Sequence, residues 1–190
     1  MRGLLITAGL GVIVLLALLI LRPPAKPKAW VADPVLANKL LAPESIGAYS
    51  IRPPPGYRLE KKDGQGRTLA LVLAGDSQYS RLMVVVPAPA SQVNEHAYEL
   101  ENNLQAMLDE VKKRRKTLDR GPIEKGMIGG QDFNRCHWSS TLPTGQRVDG
   151  VHYEGVVDGK VVALFVEGVV PEKQAAIALG EASILTFRKR

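Results

Sequence analysis

The sequence predicts an α+β fold: an antiparallel β-sheet of about six strands covered by helices in an α/β/α sandwich, preceded by one N-terminal transmembrane helix. Three observations predict it. Short apolar runs separated by Gly- and Pro-containing turns follow one another in hairpin order, which favours antiparallel pairing over the crossovers of a parallel sheet. Two stretches carry apolar residues at helical spacing. The first two dozen residues hold an uncharged aliphatic run of a kind that a sheet domain does not need. Together they divide the chain into an anchor over residues 1–22, a Pro- and Lys-rich linker over residues 23–48 and one domain over residues 49–190.

Residues 4–21 contain no charge and are interrupted only by Thr7, Gly9 and Gly11. As a helix this run covers about 27 Å, close to a hydrocarbon core of about 30 Å. A cleaved signal peptide is the nearest rival, but Leu21, Arg22, Pro23 and Pro24 stand where cleavage needs small residues. Lipoprotein processing is excluded because no cysteine follows the run. An uncleaved single-pass anchor is therefore expected. Arg22, Lys26 and Lys28 after the span outnumber Arg2 before it, and read literally this keeps the domain cytoplasmic. The margin is about one charge once the terminal amine is counted, and N-terminal spans of this kind more often export the domain C-terminal to them, so an extracytoplasmic domain is expected.

"RPPAKPK", residues 22–28, reads as a stiff basic spacer. "DPVLANKLL", residues 33–41, predicts a short amphipathic helix before Pro43. Strands are predicted at residues 49–51, 68–74, 81–86, 133–141, 147–157 and 160–170. "KKDGQGR", residues 61–67, reads as a turn, and "VDGK" as a two-residue hairpin turn. The clearest helix follows Ser91 as N-cap with Glu95 in its first turn. It carries Val93, Ala97, Leu100, Leu104, Met107, Leu108 and Val111 on one stripe. A second helix opens near Pro171 and runs through Ala175, Ala176, Ile177 and Leu179 towards Ile184, Leu185 and Phe187.

Charge argues against a nucleic-acid partner. The net charge is +6, but Arg2, Arg22, Lys26 and Lys28 lie in the first thirty residues, which contain no acid; taking these four from 25 leaves 21 basic against 19 acidic residues. A nearly neutral domain beside a basic anchor suits phospholipid headgroups better than phosphodiesters. At 5%, aromatic residues are too few for an obvious stacking platform.

Lys112, Lys113, Arg114, Arg115 and Lys116 close the first helix, where cations complement the negative end of its dipole. The functional alternative for this run is contact with an anionic surface, lipid or protein. Among groups that carry chemistry, His96, His137 and His152 come first. His137 and His152 flank the "LPTGQ" turn and, with Asp149 or Glu154, could approach a zinc set, but the spacing matches no ligand pattern. They are expected as surface or half-buried strand histidines. Cys136 and His137 are successive strand residues and point to opposite faces; Cys136 shares a face with Trp138, and Arg135 with His137. Ser139, Ser140 and Thr141 lack a nucleophile elbow, "GQGR" and "GMIGG" lack the lysine of a phosphate loop, and Glu154 and Glu167 read as solvated strand acids. No catalytic, cofactor-binding or metal-binding residue is assigned.

"YSIRPPPGYRL", "MIGGQDFNRCHW", the "DGK" hairpin and "ASILTFR" together resemble the PsbP-like fold, the α/β/α sandwich shared by the photosystem II extrinsic protein PsbP and a small Ran-binding nuclear import factor. They span residues 49–188. The resemblance implies a non-catalytic accessory or binding module, often exported and membrane-associated. An N-terminal anchor departs from both proteins, so neither partner carries over. The expectation is a membrane-anchored module that contacts the membrane through its N-terminal helix and binds a protein partner, without nucleic acid. The alternative is an enzyme with a site around His137, His152 and Glu154.

Overall fold

The computed structural model describes residues 27–46, 48–62, 68–73, 81–85, 100–158 and 160–190. The anchor expected at residues 1–22 and the cap expected at Ser91 and Glu95 lie outside them. In chain order the elements are β1 (Lys28–Ala29), α1 (Pro34–Ala37), β2 (Glu44–Ile46), β3 (Tyr49–Ile51), β4 (Tyr57–Lys62), β5 (Thr68–Leu73) and β6 (Arg81–Val85). There follow α2 (Leu100–Lys113), β7 (Thr117–Arg120), β8 (Glu124–Ile128), β9 (Gln131–Thr141), β10 (Arg147–Val157), β11 (Lys160–Val169), α3 (Gln174–Ile184) and β12 (Arg188–Lys189). Among the described residues no helix is long and apolar enough to cross a membrane.

The fold is α+β, as expected, and its sheet is wider and more mixed than the antiparallel sheet of six strands. Among the described residues nine strands join in the order β1-β8-β9-β10-β11-β6-β5-β4, with β7 also beside β9. All pairings are antiparallel except β1 with β8, where Lys28 and Ala29 run parallel to Gly126 and Met127. The predicted strand at Tyr49–Ile51 belongs elsewhere, in a three-stranded sheet of order β12-β3-β2. Two stretches not predicted as strands form them: Lys61 and Lys62, read as part of a turn, end β4, and Glu124–Ile128 pairs with β9. Between Ile128 and Gln131 the turn is Gly129 and Gly130, with φ of 56° and 81°. Hairpin pairing outweighed the weak strand propensity of Gly and Lys here. The "VDGK" turn is as predicted, with Val157 opposite Lys160 and Asp158 at φ 53°.

α2 packs on β7, β9 and β10, and α3 on β10 and β11. Leu104 and Leu108 of α2 are fully buried against Cys136, Trp138 and Val148 on one face of the sheet. On the other face Ile184, at the end of α3, and Phe187 join Phe133, Val151, Tyr153, Leu164 and Val166. A Cβ on Gly180 would stand 2.7 Å from Val166 Cγ2, so the close approach of α3 to β11 depends on that missing carbon. α3 begins at Gln174 rather than at Pro171, because residues 170–173 close a turn through Lys173 N–H to Val169 O at 2.8 Å.

From Lys28 onward the stretch expected as linker contributes to the fold. Trp30 N–H donates to Met127 O at 2.9 Å and the residue is 8% exposed, its ring lying over Gly126, where a Cβ would come within 2.5 Å of it. The predicted short helix is present as α1, capped by the Asp33 carboxylate, which accepts from Val35 N–H at 2.7 Å.

Candidate functional site

Register decides which side chains can meet. Opposite residues on paired strands share a face, and β9 pairs His137 with Val151, Cys136 with His152 and Asn134 with Glu154. His152 and Glu154 therefore lie on the α2 face and His137 on the α3 face. The trio His137, His152 and Glu154 does not come together, since the sheet runs between them. His152 is 3% exposed, against the surface or half-buried position expected, and its ring stacks on Phe165 at 5.4 Å. Burial lowers its pKa to about 4, so the imidazole is neutral at pH 7. Glu154 is also fully buried, not a solvated strand acid. Cys136 is buried beside Gly121 O at 3.5 Å, and burial raises its pKa, which keeps it a thiol. Among the described residues no group of three His, Cys, Asp or Glu could hold a metal. His96 lies outside them.

On the α3 face alternate residues of β9 build a charged cluster. Tyr153 Oη donates to Glu181 Oε1 at 2.6 Å. Arg135 Nη1 lies 3.4 Å from Tyr153 Oη and 3.6 Å from Glu181 Oε1, and Nη2 pairs with Glu124. The guanidinium stacks over Trp30 at 4.6 Å, while Trp30 meets Tyr153 edge-on at 5.5 Å. His137 Nε2 stands 3.5 Å from Glu181 Oε1, with the imidazole half exposed. Burial, then the Glu181 charge, pushes the Tyr153 pKa up, so the phenol remains a donor. The hydrogen bond from Arg135 holds Glu124 below the usual carboxylate range. Beyond His137 the cluster opens into a cleft of about 390 Å³, lined by Asp119, Arg120, Ser139, Arg147, Asp149 and Ile177. Within that lining Arg147 donates to its strand neighbour Asp149, Nε to Oδ1 at 2.8 Å and Nη2 to Oδ2 at 3.2 Å. Fixed charges of both signs beside a half-exposed imidazole suit reversible contact with a polar surface.

Sequence reasoning placed Arg135 and His137 on one face but missed Trp30, Glu124, Tyr153 and Glu181. The period-two alternation of β9 and β10 carried half of that signal. The arrival of Glu181 from α3 carried the rest, and no local pattern encodes it.

The basic run divides. Lys112 and Lys113 close α2, and Lys113 pairs with Glu110. Arg115 turns inward, its side chain 9% exposed and Nη2 2.9 Å from Glu167 Oε2, which is 13% exposed. Glu167, read as a solvated acid, is thus an internal partner. Lys112, Arg114 and Lys116 remain at the surface.

The sequence matches no known protein-family profile and no curated protein. Solved structures do resemble it. The cyanobacterial PsbP (CyanoP) of Synechocystis sp. PCC 6803 superposes with a TM-score of 0.60 at 10% identity, covering 80% of this chain and 94% of that one. LpqN of Mycobacterium tuberculosis, a protein involved in cell envelope biogenesis, gives 0.51 at 13% identity over 77% and 88% of the two chains. At such identities the likeness is one of fold. An α/β/α sandwich that superposes on nearly the whole of CyanoP, built on the residues whose pattern resembles that group, has the PsbP-like fold.

Proposed function

We propose that this protein is a single-pass membrane-anchored accessory module, facing the extracytoplasmic side, that binds a protein partner close to the membrane without catalysing a reaction. One observation carries the reading: Lys28 is already paired in the sheet as part of β1, with only six residues between it and the end of the uncharged run at Leu21. A domain so tethered works at the lipid surface. The open cleft beside His137 and Glu181 is the face it offers a partner, and Lys112, Arg114 and Lys116 are a second, basic contact for anionic groups. The part played by LpqN in the cell envelope agrees with this placement. The enzymatic alternative has to draw on His137, His152 and Glu154 from opposite faces of one sheet.

Fractionation tests it. In a bacterial host, a full chain with a C-terminal tag should stay in membranes through a carbonate wash, and the tag should be digested by protease added to intact spheroplasts. Recovery of a shortened chain in the soluble fraction would overturn the anchor, and a protected tag would overturn the sidedness.

A further inference from the structure

The large apolar side chains exposed among the described residues are Val31 at 79%, Val35 at 66% and Leu41 at 45%. They fall within eleven consecutive positions of the segment nearest the expected anchor. The segment is not loosely attached. Trp30 and Leu40 are buried beneath it, at 8% and 6%. Arg52 ties it down from the domain, donating from Nη2 to Leu40 O at 2.9 Å and from Nε to Leu41 O at 3.0 Å. Leu41 N–H is bonded to Pro53 O at 2.9 Å. α1, held between these points, buries none of its residues. The fold therefore keeps three aliphatic side chains exposed on a short segment that is itself hydrogen-bonded to the domain.

We propose that Val31, Val35 and Leu41 form a docking face that rests on the anionic surface of the bilayer holding the anchor. The proposal rests on the anchored reading of the protein. Two further observations select lipid as the occupant. Residues 22–27 are all that separate the end of the uncharged run from β1, and their seven residue steps, fully extended at about 3.5 Å each, reach at most about 25 Å, so the face stays within reach of the headgroup region. Between residues 22 and 41 the chain carries Arg22, Lys26, Lys28 and Lys39 against the single acid Asp33, a balance suited to anionic headgroups. Aliphatic side chains flanked by cations form the usual interfacial pattern, with apolar tips among the acyl ends and charges at the phosphates.

The test uses the full chain, one per nanodisc of phosphatidylcholine and phosphatidylglycerol, carrying a nitroxide at Val31→Cys or Val35→Cys. Cys136 is buried at 1% and does not compete for the label in the folded protein. Thr144→Cys, in the exposed β9–β10 turn, is the control. Relative to that control, the ratio of collisions with oxygen to collisions with a water-soluble nickel complex should be several-fold higher at both valine positions. Control-like ratios in chains that remain in their discs overturn the docking face and leave the anchor standing. Protection that appears only with two chains per disc assigns the face to a second copy and also overturns it. Loss of the chain from the discs sinks the anchored reading and this inference with it.

Discussion

At the scale of single residues, His152 shows how a strand position can reverse the expected behaviour of a side chain. Its Nε2 is buried with no hydrogen-bond partner, so a proton there would create an uncompensated charge under α2. An unfolded histidine titrates near 6.5, whereas burial holds the native one at about 4. As pH falls through this window the unfolded chain takes up a proton that the native chain refuses. Stability contributed by the neutral imidazole is thus complete above about pH 6.5 and lost towards pH 4, by up to about 3 kcal/mol. Urea unfolding at pH 7 and 4.5 should show wild type losing more stability on acidification than His152→Leu, whose carboxylates titrate alike. Equal losses would mean that His152 is solvated. Register with β9 puts His152 on the Cys136 face, and the alternation legible in the sequence says neither that nor that this face is sealed.

Individual elements show where local pattern stops. The stripe through Leu104, Leu108 and Val111 is sufficient for an amphipathic helix, and α2 buries it. The run that closes this helix looks uniform in sequence, yet its members have different fates. Arg114 and Arg115 N–H groups reach back to Val111 O and Lys112 O at 3.1 Å, tightening the last turn. Arg115 then points to Glu167 on β11, across a sequence separation of 52. Removing Arg115 takes a charge-assisted hydrogen bond from the nearly buried Glu167, so Arg115→Ala should cost about 1.5–3 kcal/mol in chemical denaturation. Lys112→Ala or Lys116→Ala, at exposed positions, should stay within about 0.5 kcal/mol. Similar effects for all three would place Arg115 at the surface.

At the scale of the molecule, β9, β10 and β11 are the longest strands among the described residues and carry core on both faces, whereas β1 and β12 are two-residue additions at the sheet margins. Opening a central strand disrupts both cores at once, while a marginal pair can fray alone. Hydrogen exchange should accordingly be slowest for amides of β9 to β11 and fastest for Lys28, Ala29, Arg188 and Lys189. Fast exchange in β10 would contradict the two-sided packing. The same arrangement ties the C-terminus to β3: Arg188 and Lys189 pair with Ser50 and Tyr49, and Arg190 N–H donates to Ala48 O at 3.0 Å.

Everything legible in the chain before folding depends on near neighbours. The α+β class, the α2 stripe, the "VDGK" hairpin, the short helix after Asp33 and the alternation that puts Arg135 with His137 are all written at spacings of two to four residues. Packing of the layers settled that Lys28 and Trp30 join the sheet beside β8, that Tyr49–Ile51 pairs with the C-terminus and that Arg115 meets Glu167 inside. It also brought Glu181 to Tyr153, Arg135 and His137. Each of these contacts joins residues far apart in the chain, and its energy comes from burial and charge pairing that exist only once the layers have packed. No local pattern can encode such a contact.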